Sequence, residues 1–282
     1  MKTIAWFLSH NGLGDNLYSI GAIRYLLQFY DVIYFFCMHK YLDNVVLFFS
    51  DIPSHRLVFV PLIDEFKESR HLIHTALQTP PDGEEDIVDV FVCGLHKEKL
   101  PSRISYSLFL NSPLPPLTYH IDYDTLTTGN YNFISHIYAD AHLNLNIFFD
   151  WWKLPSSPIS KNLLEKVKSR FPYIVFLHTV SSDHCRLCVD GILQKYLHEE
   201  GVILISSTEN VYSEIESEKG ALAQELVMQK VAYYHDIIAQ SDEIYIIDSC
   251  FTGIVLPMVK TGQLKADPVR IIERSLLYKT RF

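Results

Sequence analysis

The apolar positions of the chain fall into short unbroken runs, separated by stretches in which they recur at helical spacing. Thr3 to Ser9 is the first run, and Asn16 to Phe29 then places Leu17, Ile20, Ala22, Ile23, Leu26 and Leu27 on or near one helical face. The alternation continues with Val32 to Met38 as strand, Tyr41 to Phe49 as helix, Arg56 to Pro61 as strand, Asp64 to Leu77 as helix and Asp86 to Cys93 as strand. Strands that are apolar on both faces and separated by helices predict a parallel sheet covered by helices.

From Asn111 to Lys161 prolines cluster and the pattern weakens, apart from a predicted helix over Ile134 to Phe149. A domain boundary is expected in this stretch, and the tryptophans beside it, Trp151 and Trp152, are expected to pack an interdomain hinge. Beyond it the alternation restarts. Tyr173 to Val180 reads as strand, Val189 to His198 as helix, Val202 to Thr208 as strand, and Glu214 to Met228 and Tyr234 to Ala239 as helices. Glu243 to Asp248 then reads as strand, Phe251 to Lys260 as helix and Val269 to Glu273 as strand. The expected architecture is α/β, with two Rossmann-like doubly wound domains over residues 1–152 and 153–282 facing each other across a cleft.

Composition narrows the function classes. The 282 residues carry a formal net charge of −9, with 48% hydrophobic and 20% charged residues and no basic stripe, which argues against a nucleic-acid partner. A few basic residues focused in one site remain compatible with a small phosphorylated ligand. The apolar part of the opening MKTIAWFLS is too short for a secretory signal, and no run reaches the roughly 20 residues of a membrane span. Five cysteines, an odd number, suggest free thiols and a reducing, cytoplasmic setting.

Ligands of doubly wound sheets bind beyond the carboxyl ends of the strands, which directs attention to the loops after Ser9, Val180, Thr208 and Asp248. In the first, His10-Asn11-Gly12-Leu13-Gly14-Asp15-Asn16, the glycines allow positive φ and close approach of another backbone or a ligand. The plain alternative is a tight turn with Asp15 or Asn16 as N-cap. A dinucleotide fingerprint is disfavoured, because Leu17 stands where a third glycine belongs and His39 and Lys40, not an acid, follow the second strand.

The segment GLGDNLYSIGAIRYL resembles the opening of the heptosyltransferase-like (family 9-like) glycosyltransferases of GT-B fold. The resemblance implies that Asp15 is the general base, with His10, Asn11, Gly12 and Gly14 on the acceptor side. The segment IIAQSDEIYIIDSCFTGIVLPMV resembles that family's donor-diphosphate segment, which falls on Asp248, Ser249, Thr252 and Gly253, with Cys250 and Phe251 in place of its usual small residues. The segment YIVFLHTVSSDHCRL resembles its phosphate loop, with Thr179, Ser181, Ser182 and Arg186 as candidates. Glu209, after the following strand, is placed to contact the donor ribose or base.

An arginine, hydroxyls and a helix N-terminus suffice for a diphosphate, so neither a metal nor a resident cofactor is expected. The implied reaction is transfer of a sugar from a nucleoside diphosphate donor to a glycan or other hydroxyl acceptor by single displacement, with inversion. Two rivals are a polysaccharide pyruvyltransferase-like enzyme and a non-catalytic nucleotide-binding α/β module. Cys185 and Cys188 form a CxxC near His178 and His184, but no second cysteine pair completes a zinc site. Asp122-Tyr123-Asp124 reads as a solvated turn rather than a metal motif.

Overall fold

The computed structural model describes residues 2–9, 12–63, 86–93, 107–108, 130–212 and 217–273. The expected helix over Asp64 to Leu77, the Asp122-Tyr123-Asp124 turn, and His10 and Asn11 lie outside these residues. The chain divides into two compact units, Met1–Pro155 and Ser156–Phe282.

In the first unit, β1 (Lys2–Ser9), β2 (Val32–Met38), β3 (Leu57–Leu62) and β4 (Asp86–Cys93) run parallel, and β5 (Ser107–Leu108) adds an antiparallel edge in the order β3-β2-β1-β4-β5. The register explains why the runs are apolar throughout. Phe91, Phe7, Phe35 and Phe59 stand side by side on one face, with neighbouring ring centroids 5.8 to 6.3 Å apart, and Tyr30 and Phe49 pack onto them. Val92, Leu8, Phe36 and Val60 form the matching row on the other face. Polar residues in alternation would leave one of these rows in water.

The predicted single helix over Asn16 to Phe29 is two helices, α1 (Leu13–Tyr18) and α2 (Ile20–Leu26), with Ser19 between them. The cause lies far along the chain. The Tyr138 hydroxyl enters the ladder, donating to the Tyr18 carbonyl at 3.0 Å and accepting from the Ala22 N–H at 3.0 Å, and so bridges an i, i+4 pair that no longer bonds directly. Ser19 adds to the break by turning its hydroxyl back to the Asp15 carbonyl. Gly21 makes room, since a methyl there would sit 2.8 Å from the Tyr138 hydroxyl and 2.6 Å from the Ile147 carbonyl oxygen.

α3 (Leu42–Phe48) follows β2 as expected, after a 3-10 turn. The helix expected over Ile134 to Phe149 is also divided, into α4 (Asn130–Asp140) and α5 (Asn146–Asp150), at a left-handed His142. Trp151 packs edge-on against Tyr25 of α2.

The second unit opens with α6 (Pro158–Lys168), which the clustered prolines disguised as linker. Pro158 occupies the first helical position, where its missing N–H costs nothing, and the Ser157 hydroxyl caps the helix by accepting the Ser160 N–H at 3.0 Å. Then β6 (Tyr173–His178), α7 (Asp190–Tyr196), β7 (Val202–Ser206), α8 (Glu218–Leu226), α9 (His235–Gln240), β8 (Glu243–Ile247), α10 (Thr252–Lys260) and β9 (Val269–Ile272) follow in turn. Their four strands form an all-parallel sheet, order β7-β6-β8-β9. Strand β6 is inside it, with Ile174 to Leu177 fully buried.

Candidate functional site

The carboxyl ends of β6, β7 and β8 converge on one buried ring. His178, the last residue of β6, has Nδ1 2.6 Å from the Ser207 hydroxyl beyond β7, and its ring centroid lies 4.6 Å from that of Phe251 beyond β8. Burial pushes the His178 imidazole down to about 4, so it is neutral at pH 7. One uncharged ring thus ties together the starts of three loops. Along the chain His178 stands out only by lying near the Cys185–Cys188 pair, because it is the strand order that puts Ser207 and Phe251 beside it.

Above this ring, Thr179, Arg186 and Glu209 form one network. The Thr179 hydroxyl donates to Glu209 Oε1 at 3.2 Å and meets the Thr208 hydroxyl at 3.0 Å, and Arg186 Nη1 donates to Glu209 Oε2 at 3.3 Å. The intervening loop is braced as a small hairpin, with Val180 bridging Arg186 and the Leu187 N–H donating to the Thr179 carbonyl at 2.8 Å. Ser181 is buried in this hairpin, where its hydroxyl bonds to Asp183 and to the Cys185 carbonyl, while Ser182 is exposed near the tip. Cys185 is buried and Cys188 exposed, and all five cysteines are unpaired. Among the described residues no three His, Cys, Asp or Glu side chains gather as metal ligands.

Beyond β8 the residues Asp248 to Gly253 form the turn into α10. The Thr252 hydroxyl donates to Asp248 Oδ1 at 3.1 Å and accepts the Ser249 N–H at 3.3 Å, and the Ser249 hydroxyl accepts the Phe251 N–H at 3.3 Å. Gly253 lies buried in the first turn of α10. Met228 stands at the same end of the sheet. Its N–H donates to the Ser207 carbonyl at 3.1 Å, its φ of 56° is in the left-handed region, and its side chain is exposed. Nothing in the local sequence marks this methionine, since a positive φ has no apolar pattern.

The first unit's loop differs from its expected form. Helix α1 starts at Leu13, so Gly12 is the N-cap and Gly14 lies in the first turn, and neither Asp15 nor Asn16 occupies the N-cap position. Gly12 has an ordinary extended backbone, φ −73° and ψ 157°, so positive φ is not its purpose. Close approach is. Asp15 Oδ2 accepts the Gly12 N–H at 2.8 Å, and a methyl on Gly12 would stand 2.6 Å from that oxygen. This is the acidic half of a capping box, the glycine having no side chain to supply the other half. Asp15 is 8% exposed. Asn16 is fully buried, with Nδ2 donating to the Gly12 carbonyl at 2.7 Å and Oδ1 finding no partner among the described residues.

No protein-family model matches the sequence, and no curated protein matches it significantly. Solved structures are similar in fold. The family 9 glycosyl transferase of Veillonella parvula superposes with a TM-score of 0.52 at 12% identity, covering 99% of this chain and 88% of that one. The ADP-heptose LPS heptosyltransferase II of E. coli gives 0.47 at 13% identity over 96% of this chain and 90% of its own, and an E. coli heptosyltransferase with ADP gives 0.43 at 12% over the same shares. No helix among the described residues is long and apolar enough to cross a membrane.

Proposed function

We propose that the chain is a glycosyltransferase that takes a sugar from a nucleoside diphosphate donor and delivers it to a hydroxyl acceptor. The observation that carries this reading is the cluster beyond β6, β7 and β8, where an arginine, a carboxylate and several hydroxyls meet at the end of a parallel sheet where such folds take ligands. The fold shared with the Veillonella parvula family 9 glycosyl transferase supports it as an analogy.

Each group has a task suited to its chemistry. Arg186 matches a diphosphate through its planar fork of donors, and Glu209 accepts from ribose hydroxyls. The turn before α10 has N–H bonds at 3.3 Å, long enough to exchange for phosphate oxygens, and its Ser249 and Thr252 hydroxyls lie alongside. The exposed Met228 side chain offers apolar surface to a base. Asp15 is the general base, removing the acceptor proton as the hydroxyl attacks the anomeric carbon, and a single displacement of this kind inverts the centre. His178 touches no substrate in this scheme and positions the loops that do.

A melting screen with ADP, UDP, GDP and CDP tests the reading. A ligand at a hundred times its dissociation constant stabilises the fold by roughly 2.7 kcal/mol, so at least one diphosphate is expected to raise the transition by several degrees. No shift with any of the four removes the proposal. The Gly12 N–H bond to Asp15 favours a second reading, a nucleotide-binding module in which Asp15 only secures a helix. Transfer activity of the Asp15→Asn variant separates the two.

A further inference from the structure

We infer that Arg186 and Glu209 form a latch that makes the site select ligands carrying both a phosphate and a neighbouring diol. The inference rests on the nucleoside diphosphate reading above and adds a selection step to it. The two groups that would recognise the two halves of such a ligand are bonded to each other, Arg186 Nη1 to Glu209 Oε2 at 3.3 Å. Their side chains are 67% and 46% exposed, so solvent screens the pair and a ligand is able to displace it.

The surroundings confine the change to one side chain. The Arg186 backbone is held by the Val180 bridge and the neighbouring Leu187–Thr179 bond, so only its side chain needs to swing. Glu209 keeps its orientation as Arg186 leaves, because Thr179 holds Oε1 independently at 3.2 Å. Oε2 is then presented as an acceptor in a fixed direction.

A bare phosphate that captures Arg186 strips Glu209 of its cation and brings a second negative charge beside the carboxylate. A nucleoside diphosphate does the same but returns a ribose hydroxyl to Oε2. The latch therefore weakens inorganic phosphates selectively and spares ligands that engage both groups.

Isothermal titration of wild type and Glu209→Gln with inorganic pyrophosphate and with ADP, UDP, GDP and CDP, at low ionic strength, tests this. Glutamine retains a hydrogen-bond partner for Thr179 but releases the arginine. The expected results are at least tenfold tighter binding of one nucleoside diphosphate than of pyrophosphate by wild type, and roughly three- to tenfold tighter pyrophosphate binding by the variant. The nucleotide preference should shrink in the variant. A variant with unchanged circular dichroism that binds pyrophosphate no better than wild type overturns the latch. Wild type that binds pyrophosphate but none of the nucleotides overturns the nucleoside diphosphate reading instead, while the comparison of the two proteins with pyrophosphate still judges the latch. Absence of pyrophosphate binding by both proteins overturns the latch, and overturns the nucleoside diphosphate reading as well only when none of the four nucleotides binds.

Discussion

Asp15 illustrates how much a single residue's meaning depends on its partners. Its carboxylate is buried and accepts the Gly12 N–H, so a structural role exists whether or not it also takes a proton. Asparagine keeps an oxygen for that bond and lacks the basicity. The Asp15→Asn variant is therefore expected to melt within about 2 °C of wild type, while kcat for transfer falls by roughly 10²- to 10⁴-fold. Near-normal turnover would remove the base assignment. His178 makes a different prediction. Burial holds its folded form neutral down to about pH 4, whereas the unfolded chain takes up the proton near 6.5. Between those values the unfolded state binds more protons, so stability rises with pH across the window and falls on acidification, by roughly 3 kcal/mol in all. Urea unfolding at several pH values from 4 to 7 should show this slope in wild type and a shallower one in His178→Gln. Equal slopes would mean that the ring titrates normally.

Among the elements, the strands were legible and the helix breaks were not. Val32–Met38 and Asp86–Cys93 form strands with the bounds read from the chain, because a strand buried on both faces writes its own apolar run. The pause at Ser19 has no such signature, because its cause is Tyr138, 120 positions from the Tyr18 carbonyl it meets. Tyr138→Phe leaves that carbonyl and the Ala22 N–H buried and without the bridging hydroxyl, so a loss of about 1–3 kcal/mol is expected in chemical denaturation. A neutral substitution would show that α1 and α2 close into one helix when the hydroxyl is removed. Helix α6 was hidden for the opposite reason. Prolines at 155 and 158 suggest a linker, and only the Ser157 cap at a Pro158 start shows that one of them opens a helix.

At the scale of the whole molecule, the two units carry different parts of the proposed chemistry. Thr179, Arg186, Glu209, Asp248 and Thr252 all belong to Ser156–Phe282, and Gly12 and Asp15 to Met1–Pro155. With a saturating nucleoside diphosphate, hydrogen exchange should slow at 178–187, 206–210 and 248–253. Protection confined to the β1–α1 segment would assign the nucleotide to the wrong unit. The sequence by itself determined the alternation of strand and helix, the parallel sheets and the order of the polar loops, because burial imposes a local period on residue type. Only the tertiary structure decided that His178 joins three loops, that Arg186 is paired with Glu209, and that Gly12 serves the Asp15 carboxylate rather than a positive φ. Hydrogen bonds and ion pairs between distant positions are set by how strands stack side by side, and such partners leave no periodic trace along the chain.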